Sequence, residues 1–356
     1  MREKKYLKLY NDIKNKILTG VYETNEKLPS KRVMADKFGC SVITVENAYS
    51  ILEDEGYIFT RERRGYYVMP LEQIFAPPEI EEERVIHHLP PDPISFESDF
   101  EYSVWFKTVR KVISEKDCEL FSKSPSKGCS ILRNALADYL LRYRGMYAKP
   151  ENIVVGSGAQ QLYEFVVRLL GQDKIYGIED PSFEYIESVY TQSGAKICRL
   201  KLGDDGIETK DLNKKFNILH VTPFHSYPSG ITAPVSKRRE YLAWSQRTGG
   251  YIVEDDFDSE FFKSGQPIDT LFSLDRTQKV IYINTFSKSL SPSMRMGYMI
   301  LPDKLLVEYD KILERFSCTV PVMDQYILAE FISSGNFERH LNRQRRKRRQ
   351  AAGANN

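Results

Sequence analysis

Val280-Ile-Tyr-Ile-Asn-Thr-Phe-Ser-Lys-Ser-Leu-Ser-Pro-Ser-Met-Arg-Met-Gly297 is an apolar run that ends abruptly in hydroxyls and a single lysine, Lys288. The β-branched and aromatic residues from Val280 to Ile283 predict a buried parallel strand, which puts Asn284 to Ser289 just beyond its carboxyl end. In open α/β sheets that end is where ligands bind. A lysine at such a mouth, flanked by Thr285, Ser287 and Ser289 and followed by Arg295 and Gly297, has the parts for a Schiff base and a phosphate clamp. A surface lysine after an ordinary Ser-rich turn is the competing reading. The stretches that precede it decide between them.

Upstream, the same pattern of strand followed by polar loop recurs four times, as an alternating α/β fold requires. Ile153-Val154-Val155 runs into Gly156-Ser157-Gly158-Ala159-Gln160-Gln161, and Leu162, Phe165, Val166 and Leu169 mark the face of the next helix. Strand, glycine turn and helix aim free backbone N–H groups at an anion, although plain strand-to-helix packing has the same signature. The turn is neither Gly-x-Gly-x-x-Gly nor a Walker loop, so a nucleotide is disfavoured. Tyr176 to Asp180 leads to Pro181-Ser182-Phe183, which sets an aromatic ring at a strand mouth. Ile218 to Val221 leads to Thr222-Pro-Phe-His-Ser-Tyr-Pro-Ser-Gly230, and Tyr251 to Val253 leads to Glu254-Asp-Asp-Phe-Asp258. Singly, each stretch has a plain account: Phe183 as core, His225 as a satisfied loop histidine, the acids as a solvated strand end.

Taken in order, Ser157, Phe183, Asp255, Lys288 and Arg295 make residues 98–345 resemble a class I aminotransferase domain of pyridoxal-phosphate fold-type I. That resemblance implies pyridoxal 5'-phosphate as cofactor, with Lys288 as its Schiff-base lysine, Asp255 against the pyridine nitrogen and Phe183 stacked on the ring. It places Ser157, Gly158, Ala159, Ser287 and Arg295 around the phosphate. One acid suffices for the ring nitrogen, and the neighbouring acids are expected to be solvated or to cap the next element, since clustered like charges resist burial together. Phe257 stands where the family usually has a tyrosine that donates to the cofactor's phenolic oxygen. Chains of the family run on for about another hundred residues, a subdomain's worth, with the arginine that grips a substrate carboxylate. A domain that stops at Asn356 is therefore expected to be C-terminally truncated and to expose apolar surface.

At the other end, Tyr6, Leu9, Tyr10, Ile13 and Ile17 recur at helical spacing, and Gly20 stops that helix. Ser30 is a helix N-cap for Lys31 to Phe38, and Ser41 opens a second helix from Val42 to Glu55. These two helices, joined by Phe38-Gly-Cys-Ser41, form a helix-turn-helix. Gly56 to Phe59 and Tyr66 to Val68 flank Thr60-Arg-Glu-Arg-Arg-Gly65, which predicts a hairpin with a basic tip. In order and spacing, Leu28-Pro29-Ser30-x-Arg32, Ser41-x-x-Thr44-Val45, Glu55-Gly56-Tyr57 and Arg64-Gly65 resemble the GntR-type winged helix. The resemblance implies double-stranded operator DNA as partner, with Ser41, Val42, Thr44 and Asn47 at the base edges and Lys31, Arg32, Arg61, Arg63 and Arg64 at phosphates. Val42 occupies a position where the family often has arginine.

Joined, the two parts resemble the MocR-type transcription regulators. The expected organisation is a winged helix over 1–70, a Pro/Glu-rich linker over 71–97 with Pro77-Pro78 and Pro90-Pro91, and the aminotransferase-like domain over 98–356. With 356 residues, 41% hydrophobic, the chain has room for two domains, and its net charge of +2 is too mild to announce nucleic acid by itself. Five scattered cysteines without a Cys-x-x-Cys pair point to a reducing, cytoplasmic setting and away from structural zinc, and His87-His88 lacks a second ligand cluster. No apolar run reaches membrane-spanning length. The leading expectation is a homodimeric DNA-binding regulator that senses through the cofactor or its adduct with a small amino compound. An aminotransferase acting on an amino acid is the alternative, and a truncated, non-functional relative is the third.

Overall fold

The computed structural model describes residues 5–62, 64–70, 100–261 and 269–354, with side chains to Gln350. The chain divides into two compact units, Met1–Pro90 and Pro91–Asn356. Arg63 and the whole segment expected as a linker over 71–97 lie outside the described residues.

In the first unit, α1 (Lys5–Leu18) buries Leu9, Tyr10, Ile13 and Ile17, the stripe that its periodicity predicts. Ser30 caps α2 (Lys31–Phe38) by accepting from Val33 N, and Gly39 at φ +61° closes it. Ser41 caps α3 (Val42–Asp54) by accepting from Thr44 N, while Val45, Ala48, Tyr49 and Leu52 are fully buried against the other helices. Tyr49 fixes the helix pair by donating its hydroxyl to Pro29 O at 2.8 Å. The hairpin is β1 (Ile58–Arg61) and β2 (Gly65–Val68), antiparallel, with Arg61 opposite Gly65. Pairing thus continues two residues further than the sequence suggested, and Thr60 and Arg61 belong to the strand.

The second unit is built on an eight-stranded sheet. Its strands are β3 (Ile153–Gly156), β4 (Ile175–Asp180), β5 (Lys196–Gly203), β6 (Gly206–Ile207), β7 (Ile218–Val221), β8 (Tyr251–Asp255), β9 (Val280–Thr285) and β10 (Gly297–Ile300), in the order β3-β10-β9-β8-β7-β4-β5-β6. Neighbours from β9 to β5 are parallel, and β10 runs antiparallel between β3 and β9. β6 is likewise antiparallel to β5. β3, β4, β7, β8 and β9 therefore all end at one edge of the sheet, where their loops meet. The central strands are buried on both faces, as their continuous apolar runs require.

Alternation along the strands sorts side chains into two cores. Val154, Ile178, Val253, Ile281 and Ile283 pack under the helices Ala159–Leu170, Glu184–Gln192 and Asp303–Leu313. On the other face, Ile153, Val155, Tyr282 and Tyr298 pack under Ser130–Arg144, Val322–Ser333 and Asn336–Ala354. β9 extends through Asn284 and Thr285, two residues beyond the boundary read from its apolar run, because Gly297 pairs with Thr285 and Tyr298 with Asn284. Gly297 has to be glycine for that approach, since a Cβ there would stand 2.8 Å from Asn284 O.

Candidate functional site

At the shared strand edge, the turn after β3 places Gly158 at φ +86° as the last residue before the helix Ala159–Leu170. The first N–H groups of that helix have no partner within it and point at the edge. Gln161, in the third helical position, reaches back so that its Oε1 accepts from Ser157 N at 2.8 Å and Ser157 Oγ at 3.1 Å. Thr319 Oγ1 donates to the same oxygen at 2.9 Å. The arginine of the lysine stretch joins this turn: a Cβ on Gly158 would lie 3.9 Å from the Arg295 guanidinium. Arg295, at φ +43°, donates from Nη2 to Gln160 Oε1 at 3.5 Å. Ser157, Gly158, Ala159 and Arg295 thus come together, while Ser287 sits in the turn after β9 beside Lys288.

Asp255 ends β8 on the face of Val253, and the neighbouring acids Glu254 and Asp256 fall on the opposite face. Tyr163, one turn into the cradle helix, donates its hydroxyl to Asp255 Oδ2. His220 Nε2 lies 3.8 Å from that oxygen, and Tyr190 OH holds the ring by a 2.7 Å hydrogen bond at Nδ1. Burial first, and then Asp255, push the Tyr163 hydroxyl well above its ordinary pKa, so it stays a proton donor. Asp255 Oδ1 is buried and has no hydrogen-bond partner among the described residues.

The expectation that these acids resist burial together is wrong, although Glu254 does cap a following helix, Leu271–Leu274. Glu254, Asp255, Asp256 and Asp258 are all buried, each with its own partners. Glu254 accepts from Leu271 N at 2.7 Å and Phe272 N at 2.8 Å, and burial followed by the proximity of Asp256 lifts its pKa to about 8. Asp256 is 2.9 Å from Arg144 Nη2 and accepts from Tyr282 OH at 2.7 Å. Burial opposes charge on Arg144, but Asp256, Tyr282 and Glu260 outweigh it and the guanidinium pKa rises. Asp258 Oδ1 lies 2.8 Å from Lys288 Nζ, and Asp258 Oδ2 lies 2.9 Å from His225 Nδ1. His225 is thus a site neighbour and not a plain loop histidine.

Lys288 also stands 4.8 Å from the centre of the Phe257 ring, which can attract a cation but cannot donate a hydrogen bond. Arg348, from the helix Asn336–Ala354, comes within 3.8 Å of Asp258 Oδ1 and lies over the Phe261 ring. Phe183 is half-buried at the mouth of β4, with its ring 5.8 Å from Tyr227 in an edge contact. Glu179, at the end of the same strand, accepts from Ser226 Oγ at 2.6 Å and Thr222 N at 3.3 Å. Its burial raises the carboxyl to about 7 despite those two bonds, with Asp255 adding to the rise.

The donor set fits pyridoxal 5'-phosphate on structural grounds: a buried carboxylate oxygen awaiting a donor, a lysine amine, and a glycine turn with an arginine against it. Gln161, Tyr163, His220 and Arg348 are parts of this region that sequence reasoning missed, and the sequence marks Asp258 only as one of the clustered acids. Gln161 alone had a readable signal, being a Gln at the third helical position that can bond back to a preceding N–H.

In the first unit, Ser41 and Asn47 are exposed at the amino end of α3, as are Val42 and Ile43, with Thr44 half-buried. Arg32, Arg61 and Arg64 are exposed, and Arg61 lies over the rings of Phe59 and Tyr67. Lys31 is engaged: its Nζ is 2.6 Å from Glu46 Oε1 and 5.4 Å from the centre of the Tyr66 ring. Among the described residues, no group of three or more His, Cys, Asp or Glu side chains is arranged to hold a metal ion. None of the described helices is long and apolar enough to cross a membrane.

Residues 5–68 match the family of bacterial regulatory proteins called gntR, and residues 99–352 match aminotransferase class I and II. The chain is 32% identical over 355 residues to YdeL of Bacillus subtilis, named as an uncharacterized HTH-type transcriptional regulator, covering 96% of this chain and 76% of that one. It is 29% identical to the probable rhizopine catabolism regulatory protein MocR of Rhizobium meliloti, covering 95% and 73%. Among solved structures, an archaeal alanine:glyoxylate aminotransferase matches with a TM-score of 0.63 at 25% identity over 68% of this chain. The chain spans 62% of that aminotransferase's length.

Proposed function

Because the chain belongs to the MocR-type regulators, in which a gntR-family domain is fused to an aminotransferase class I and II domain, we propose that it binds operator DNA and uses pyridoxal 5'-phosphate as its sensing group. The proposed boundaries are a DNA-binding domain over 1–70, a linker over 71–97 and a cofactor domain over 98–356, in a cytoplasmic homodimer. The observation that carries the cofactor half is Asp255 Oδ1, buried without a hydrogen-bond partner among the described residues. Burying such an oxygen unpaired costs on the order of 1–3 kcal/mol, a cost that a ligand N–H would remove.

When bound, the cofactor supplies a carbonyl that condenses with primary amines and a ring that withdraws electrons. Lys288 is the amine that would hold it, and Asp258 keeps that amine at the strand edge. Asp255, oriented by Tyr163, would hold a proton at the ring nitrogen. Arg295 and the N–H groups that open the helix at Ala159 would hold the phosphate, with Ser157, Gly158 and Ser287 around it and Phe183 against the ring. An amino compound that competes for the carbonyl is the proposed effector.

The likeness of the large unit to solved aminotransferases supports a second reading, transamination of an amino acid. Both are tested on the full chain incubated with pyridoxal 5'-phosphate. A visible absorption band, together with salt-sensitive binding of a selected duplex, is the expected result. Without the band the cofactor half fails; sustained keto acid release from amino acids would replace the sensing role with an enzymatic one.

A further inference from the structure

The recognition helix α3 contains no Lys, Arg or His, and its charged residues are Glu46, Glu53 and Asp54. Guanine is read in the major groove chiefly by Arg or Lys, which bond O6 and N7 together. Lys31, at the start of α2, is committed to Glu46 at 2.6 Å, and that contact also engages Oε1 of Glu46, the acid that α3 carries in its first two turns. Thr44 Oγ1 is within 2.9 Å of Ser41 Oγ, so its hydroxyl is engaged in the cap. What remains at the amino end of α3 is apolar. Ile43 is 69% exposed and Val42 42% exposed, on a helix whose inward residues Val45, Ala48, Tyr49 and Leu52 are completely buried. Asn47 is exposed and makes no side-chain hydrogen bond among the described residues.

Two branched apolar side chains and an amide, at the end of a helix that meets base edges, match one kind of major groove. We infer that this chain reads an A·T-rich half-site, in which thymine C5-methyl groups pack against Val42 and Ile43 and Asn47 bonds an adenine. The inference rests on the DNA-binding reading above. Contact with the thymine methyl is the apolar counterpart of base reading, and Asn pairs in two places with adenine N6 and N7. Phosphate affinity then has to come from outside α3, from Arg32, Arg61 and Arg64.

The test uses the full chain. Duplexes bound from a random pool are sequenced, and each thymine of the selected half-site is then replaced by deoxyuridine, which lacks only the methyl group. An A·T-rich selection is expected, with one or two uracil positions that each weaken binding about fourfold, the value of one buried methyl. In Ile43→Ala or Val42→Ala the uracil effect at the matching position should vanish, and affinity for the selected thymine duplex should fall by about the same fourfold factor. Both positions are exposed, so folding is preserved, and melting curves check this. Selection of guanine at the variable positions, or tolerance of uracil at every position, overturns the inference while leaving DNA binding in place. Failure to bind any duplex at low salt overturns the regulator reading along with it.

Discussion

Lys288 Nζ lies 2.8 Å from Asp258 Oδ1, and not against Asp255, the acid three residues earlier. The two acids divide the work. Asp255 is held by Tyr163 with one oxygen left over, whereas Asp258 is enclosed by Lys288, His225 and Arg348.

Lys288→Ala should abolish any borohydride-reducible adduct with pyridoxal 5'-phosphate, because only a primary amine forms one. It also strips buried Asp258 of its nearest cation, at an expected cost of about 1–3 kcal/mol. Asp258→Asn in the same chain should recover part of that loss, a coupling above about 0.5 kcal/mol. Urea unfolding of the four proteins measures it. Additive losses would mean that the pair contributes nothing to stability.

Asp255→Asn should weaken cofactor binding without lowering the stability of the cofactor-free protein. An amide cannot match a carboxylate as partner for a protonated ring nitrogen, so cofactor binding should weaken about tenfold to a hundredfold. The cofactor-free protein should melt no lower, because a neutral amide costs less to bury than an unpaired carboxylate oxygen. Fluorescence titration and melting of the same samples check both signs. A lower melting temperature with unchanged affinity would show that Asp255 serves packing only.

Glu179 carries a pH signature. Its carboxyl is raised by burial from an ordinary 4.5 to about 7. Between these values the folded chain binds the extra proton, so stability is fullest at the acid end and falls as pH rises through about 7. Glu179→Gln can still accept from Thr222 N and donate to Ser226 Oγ. It should remove that slope, and at pH 8 or above gain up to about 3 kcal/mol over the parent. Glu254, raised to about 8, and Glu260, raised to about 7, tilt the background the same way, so the comparison is the difference between the two proteins. A difference that is flat from pH 5 to 8 would refute the buried neutral carboxyl.

What the sequence made legible follows from local rules. Ser30 and Ser41 cap α2 and α3 because a hydroxyl before a periodic run is a local signal. Strand parity alone sends Asp255 to the face opposite Glu254 and Asp256. The burial of all the acids was not legible, since it depends on Arg144, on Leu271 N and Phe272 N, and on His225, which lie far away in the chain. For the same reason β9 overran its predicted end: its last two residues are paired by β10, whose antiparallel insertion no periodicity announces. The pairing of Lys31 with Glu46 likewise joins two helices, and it changes the DNA surface without altering any motif.

That ion pair supplies the last prediction. Each phosphate contact adds about 0.9 to the slope of log affinity against log salt. Arg32→Ala and Arg64→Ala, which remove exposed guanidinium groups, should each flatten the slope by about that amount. Lys31→Ala should flatten it less, because Glu46 already compensates the ammonium. Burial of Lys31 opposes its charge, but Glu46 first and Tyr66 second raise its pKa, so the group is charged and merely engaged. Glu46→Gln should therefore do the reverse and steepen the slope by up to about 0.9, since it frees Lys31 for a phosphate. The partly exposed pair is worth about 1 kcal/mol or less to stability, so the variant should fold normally. Fluorescence anisotropy across a salt series on one duplex gives all four slopes. A slope that flattens or stays constant in Glu46→Gln would show that Lys31 does not face the DNA backbone.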